Sequence, residues 1–165
     1  MGFYRTSRCL EASIIDEIKA QLLAENWTNV AVEKTFARAY SMQLDENKNS
    51  AVICVRASDT NRKKVEIGTD KLVRSELVLL DVFATSDGQR LDLVDFIIDK
   101  LKSGVPYFEY ETNKSTIINK TQNGRIRFLN IEDKPVNFNT DKSNLEVQDR
   151  YRHLISLTCS LGKVE

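Results

Sequence analysis

Apolar residues recur at every fourth position over Leu10, Ile14, Ile18 and Leu22, with Ile15 and Leu23 widening the stripe. Asp16, Glu17, Lys19 and Gln21 fall on the other side, so the period predicts an amphipathic helix over about residues 7–25 that stops near Asn26. The spacing then changes. Val30, Val32, Phe36 and Tyr40 stand at even intervals, which predicts one long strand over residues 30–40 with a face that is only partly apolar. SMQLDENKNS follows as a polar loop and AVICVR as a short apolar strand. SDTNRK carries turn residues and KKVEIG alternates, so the pattern predicts a hairpin that turns at residues 58–63. In LVRSELVLLDVFA, Leu77, Leu79, Asp81 and Phe83 share one side and Val78, Leu80, Val82 and Ala84 the other. A strand apolar on both faces is covered on both, or covered on one side by helices and on the other by a partner.

The next stretch, from Asp81 to Pro106, reads as strand, loop and helix. Ser86 and Gln89 have the three-residue spacing of a capping box, and Asp87 and Asp92 lie near the positive end of the helix dipole. Leu91, Val94, Ile98 and Leu101 form the expected buried stripe, with Phe96 and Ile97 beside it. Lys100 and Lys102 suit the negative end, Gly104 a left-handed cap, and Pro106 a stop. A loop before a helix can also cradle phosphate, but that requires several glycines and a lysine. Here Gly88 stands alone and Asp87 repels an anion, so the loop is read as a helix start. Beyond it, YFEYE, STIINK and GRIRFLNIED read as short strands, and KPVNFNTDKSNLEVQD as a long loop. The last strand alternates Ile155, Leu157, Cys159 and Leu161 against Ser156, Thr158 and Ser160. Together these elements predict an α+β fold: a mixed, mostly antiparallel β-sheet packed by two amphipathic helices, in a single domain over residues 1–165.

Charge and composition narrow the chemistry. Twenty-four basic and 24 acidic residues cancel, which leaves no broad positive field for non-specific nucleic-acid binding. Cys9, Cys54 and Cys159 are far apart, odd in number and set among apolar residues; buried thiols in a reducing cytoplasm are expected, and no zinc site. No apolar run is long enough for a signal peptide or a membrane span. The only histidine, His153, is expected partly exposed at a strand end, without the nucleophile and orienting acid that catalysis needs. The sequence therefore predicts no catalytic residue, no cofactor and no metal. Asp92, Asp95 and Asp99 share the face of their helix away from the stripe, as a solvated acidic face or a contact surface. Of two basic clusters, Arg62-Lys63-Lys64 and Arg150-Tyr151-Arg152, the second interleaves an aromatic with cations as single-strand binders do. An edge strand protected by charge accounts for it more simply.

The strand ending DVFA, the helix LDLVDFIIDKL and the final strand opening YRHLISL, in this order after an N-terminal helix and a hairpin region, resemble the tail terminator and neck (tail-completion) proteins of tailed bacteriophages. The resemblance runs from Glu11 to Leu161 and rests on residue types. It implies a non-enzymatic virion protein, assembled in the host cytoplasm as a homo-oligomeric ring of six subunits. Such a ring caps the tail tube protein and meets head-side connector or neck proteins, while genome DNA passes through its lumen without specific binding; no membrane is involved. Contacts are then expected from residues 41–50, 58–64 and 134–149, with Asp45, Asn47, Arg62, Lys63, Lys64, Arg150 and Arg152 as candidate interface residues. A small nucleic-acid or ligand-binding domain is the alternative, favoured if the basic clusters converge on one groove. A small hydrolase requires His153 to meet a carboxylate in a pocket.

Overall fold

The structure is a computed structural model that describes residues 2–45, 51–137, 140–145 and 147–164. In chain order the elements are β1 (Gly2–Phe3), α1 (Thr6–Ala24), β2 (Val30–Glu33), α2 (Phe36–Asp45), β3 (Ala51–Lys64), β4 (Leu72–Phe83), α3 (Asp87–Leu101), β5 (Val105–Asn113), β6 (Thr116–Pro135), a 3₁₀ turn (Lys142–Asn144), the single-turn α4 (Val147–Arg150) and β7 (Arg152–Val164). The seven strands form one curled sheet in the order β1-β5-β6-β7-β4-β3-β2. Only β2 runs parallel to its neighbour, β3; every other pair is antiparallel. The fold is α+β in a single domain, as its periodicities predict.

α1 and α3 lie on one face of the sheet, because their apolar stripes match that face. Leu10, Ile14, Ile18 and Leu22 from α1 and Leu93, Val94, Ile97 and Leu101 from α3 are buried against Ile53, Val55, Val78, Leu80, Val82, Ile155 and Leu157. α1 is also pinned by polar groups. Ser13 Oγ donates to Cys9 O (2.7 Å) and accepts from Phe108 N of β5 (2.9 Å), while Tyr110 donates to Asp16 (2.6 Å). Ala57 N donates to Glu11 Oε2 (2.8 Å) where a bulge between Ala57 and Thr60 interrupts β3.

The start of α3 forms as its spacing predicts, with one change. Ser86 Oγ accepts from Gln89 N (3.2 Å), and Gln89 Oε1 reaches back to accept from Thr85 N (2.8 Å) and Thr85 Oγ1 (2.9 Å), one residue beyond the cap itself. Ser86→Ala is expected to cost about 1 kcal/mol, read as a lowered denaturation midpoint. Past the end of α3 the chain turns at Gly104, whose φ of +91° only glycine adopts easily and whose added Cβ would meet Ile126 O at 2.8 Å.

Several expectations change: residues 41–45, expected in a polar loop, belong to α2, and Leu23, expected in the α1 stripe, is exposed. Residues 30–40 are not one strand: β2 ends at Glu33, and α2 starts at Phe36. Phe36 and Tyr40 are four apart, which suits either period, and the Ala-rich FARAYSMQLD favours helix. Residues 58–63 are strand, and the hairpin turns later, over 65–71, where Gly68 takes φ +82°. STIINK and GRIRFLNIED are one 20-residue strand, β6, that bends past Gly124 (φ +99°). Its first half pairs with β5 and its second with β7, so it joins the two halves of the sheet. Finally, the buried stripe of α3 uses Leu93 and Ile97; Leu91 is exposed and Ile98 only half-buried.

Candidate interaction surfaces and buried polar sites

α2 covers the other face of the sheet at one end only. Ala39, Val52, Cys54 and Phe83 are buried there, with Phe36 and Tyr40 packed on them; the Phe36 ring lies 5.8 Å from Phe83 and 5.9 Å from Tyr40. Into this apolar patch β4 brings Asp81, fully buried. Its carboxylate accepts from Arg152 (2.9 and 3.3 Å) and from Arg56 (3.2 Å). Arg152 lies over the Phe36 and Phe83 rings, and Arg56 over Phe36. Asp149 completes the group by accepting from Tyr40 (2.7 Å) and pairing with Arg152 (3.6 Å). A carboxylate inside an apolar layer is stable only when paired in this way. Asp81 thus ties β3, β4, β7 and α2 together.

His153 is buried, not partly exposed as its strand-end position suggests. It points to the face carrying α1 and α3, opposite Val82 on β4. One ring nitrogen, Nδ1, lies 2.7 Å from Arg90 Nη1, and the other, Nε2, lies 2.8 Å from Asp133 Oδ2. The arginine can only donate, so Nδ1 accepts from Arg90 and Nε2 donates to Asp133. Both nitrogens are then engaged and neither is open to a nucleophile. Arg90 also meets Asp87 (3.4 Å), and Lys142 clasps Asp87 (3.0 and 3.1 Å), holding that carboxyl below its usual range. The series runs across α3, the 3₁₀ turn, β7 and β6 as a structural tie.

A cavity of about 170 Å³ lies where the start of α1 meets β4, β5 and β7, lined by Thr6, Leu10, Arg74, Glu76, Tyr107, Glu109, Cys159, Leu161 and Lys163. Its charges are largely matched internally: Glu76 pairs with Arg74 (3.4 Å), Arg74 also donates to Ser7, and Lys163 donates to Asn123 O (2.7 Å). Among the described residues, no group of three or more His, Cys, Asp or Glu is placed to hold a metal ion, and no helix is long and apolar enough to cross a membrane.

The cysteines are buried. Burial pushes the Cys159 thiol up to about 12, helped by the charge of Glu76, and the Cys54 thiol up to about 11, helped by Asp81. Tyr107 and Tyr110 are raised by burial as well, Tyr110 also through Asp16. A thiol whose folded pKa lies above its ordinary 9.0 adds stability that is complete below pH 9 and is lost as pH rises toward 11 and 12. The denaturant midpoint should therefore hold steady up to pH 9 and fall above it. The same thiols should react with a disulfide reagent only after unfolding.

Among the described residues, one surface left uncovered is an arm made by the ends of β3 and β4; Ile117, Ile118 and Leu129 of β6 are exposed as well. Asn61, Arg62, Lys63 and Lys64 pair with Ser75, Arg74, Val73 and Leu72, and Val65 N closes on Lys71 O. Most of this ladder is exposed, and Ile67 at its tip is 105% exposed, with Val65 and Val73 exposed beside it. β2 pairs with β3 only from Ala51 to Cys54, so the arm also has an edge with no neighbouring strand.

The sequence-predicted interface residues separate accordingly. Arg62, Lys63 and Lys64 stand exposed on the arm. Arg152 is held inward by Asp81, and Arg150 turns its Nε to Leu145 O (3.1 Å), so this second cluster serves the fold. The two clusters sit at opposite ends of β4, opposite Leu72 and Phe83, and form no common groove. Asp45 is the last residue of α2, and Asn47 lies outside the described residues. Asp81, Arg56, Asp133 and Arg90 were not singled out by the sequence, whose only hint was the one acid in the run LVLLDVFA. No protein-family model matches the chain, and neither does any curated protein.

Proposed function

We propose that this chain is a structural virion subunit that forms a ring: a tail terminator or neck protein of a tailed bacteriophage, which caps the tail tube and joins tail to head. The arm carries this reading. A monomer gains little from a hairpin tip that projects beyond the pairing of β4 with β7 and exposes Val65 and Ile67 to water, whereas a subunit in an assembly buries such a surface against its neighbour. The order of strand, helix and final strand supports it through the resemblance described above. His153 adds support, since both its nitrogens are engaged in a structural tie and leave no base for hydrolysis. Separation of the basic clusters weighs against a nucleic-acid groove and suits a lumen through which DNA slides.

The test is mass in solution and electron microscopy of the protein with and without tail tube. A closed ring, of six subunits, is expected in at least one condition. Replacing Val65 and Ile67 by aspartate should leave circular dichroism unchanged while abolishing the ring and the yield of tailed particles. A wild-type chain that stays monomeric in both conditions overturns the proposal.

A further inference from the structure

A ring needs two different surfaces on each subunit, one to offer and one to receive, because head-to-tail contacts close only when each meets its complement. The arm is one. It carries Arg62, Lys63, Lys64, Lys71 and Arg74 against Glu66 and Asp70, around the apolar Val65, Ile67 and Val73. Arg62 and Arg74 stand directly opposite each other across the ladder, and Glu76 already pairs with Arg74 (3.4 Å). Lys63 and Lys64 form no ion pair with any described residue.

The outer face of α3 has the complementary composition. Asp92, Asp95 and Asp99 are exposed along it, with Leu91, 52% exposed, at their N-terminal end. Asp99 is partnered by Lys102 (2.6 Å), but Asp92 and Asp95 pair with no described residue. The four-residue spacing of Leu91 and Asp95, with Asp92 beside them, places one apolar contact and two spare carboxylates on one helical surface. Leu91 is the residue that the period of α3 would bury and the fold leaves out. Each surface thus pairs an apolar centre with spare charge of one sign, and the signs are opposite.

Building on the ring reading, we infer that the β3–β4 arm of one copy docks on the outer face of α3 of the next, with Lys63, on the Val73 face of the ladder, against Asp92 and Asp95, Lys64 reaching them from the edge of the arm, and the Val65–Ile67 tip against Leu91. The two surfaces do not overlap, so each copy gives its arm to one neighbour and receives an arm from the other. A standard interface buries about 800 Å² per partner, more than an arm and one helical face supply, so this contact fixes the register of a larger interface.

The experiment uses the full chain and native mass spectrometry with sedimentation, at low and at high salt. Three variants are compared: Lys63→Glu/Lys64→Glu, Asp92→Lys/Asp95→Lys, and the four substitutions combined. All change exposed side chains, and circular dichroism and thermal melts verify their folding. Each reversed pair should weaken association by about tenfold or more at low salt, which is about 1.4 kcal/mol or more, with a smaller loss at high salt. The combined variant should regain most of the loss, because the charges again oppose across the contact. If wild type assembles and either reversal assembles equally well, or the combined variant is no better than the single reversals, the arm–helix contact is overturned while the ring stands. If wild type remains monomeric even with tail tube present, the ring reading itself fails and this contact with it.

Discussion

Replacing Asp81 by alanine should destabilise the protein by about 3–5 kcal/mol, the range for removing one partner of a buried ion pair. Asp81 is fully buried and serves two guanidinium groups, so its loss leaves Arg152, with only 17% of its side chain exposed, facing Phe36 and Phe83 with only the longer pairing to Asp149 (3.6 Å) to offset its charge. Arg56, 41% exposed, recovers water more readily, which places the effect at the lower end of that range. For a chain of this size the melting temperature falls roughly 2–4 °C per kcal/mol. Asp81→Asn should cost nearly as much, since it keeps the shape and loses the charge. Combining Asp81→Leu with Arg152→Met should cost less than Asp81→Ala alone, because it removes the stranded charge together with its partner. A loss below about 1 kcal/mol for Asp81→Ala would mean that water reaches the carboxylate and that the three side chains are not the tie described above.

Ile97→Ala is expected to cost about 2–5 kcal/mol, the usual price of a large-to-small change in a closed core. Ile97 is 1% exposed and packs within the cluster joining α3 to β4 and β7. Leu91→Ala, on the same helix, should remain within about 0.5 kcal/mol, as an exposed position does. The pair separates two registers of α3. A helix rotated to bury the 91, 94, 98 and 101 series would reverse the order of the two losses, and urea denaturation of both variants with unchanged slope decides between them.

That rotation shows where the amino-acid pattern stops being informative. α3 has apolar residues at 91, 93, 94, 96, 97, 98 and 101, enough to draw two overlapping stripes. Periodicity alone could not choose; the choice comes from the shape of the sheet beneath it. α1 was legible because only one stripe fits its sequence, and β7 because Ile155, Leu157 and Cys159 alternate without exception with polar residues. The stretch over residues 30–40 misled for a plain reason: an interval of four is two strand repeats and also about one helical turn, so Phe36 and Tyr40 satisfy both. The hairpin turn was displaced because SDTNRK has turn composition, whereas pairing with β4 supplies hydrogen bonds that outweigh local preference over 60–64. Of the candidate interface, the exposed cluster on the arm was visible in the sequence. The inward turn of Arg152 was not, since it depends on Asp81, 71 residues away along the chain. His153 likewise meets partners at 63 and 20 residues' separation, which no local pattern encodes.

β7 is the middle strand of the seven, between β6 and β4, although it comes last in sequence. During synthesis, therefore, β3 with β4 and β5 with β6 can form as hairpins while the space between them stays empty. Until residues 152–164 leave the ribosome, β4 and β6 each present a bare hydrogen-bonding edge, and Val78, Leu80 and Val82 lack the strand beside them. Such edges invite pairing with another nascent chain. Expression should accordingly be sensitive to temperature and to chaperone supply in proportion to the time spent waiting for β7. A premature stop near residue 150 should give insoluble material, because the seam of the sheet is then never sewn.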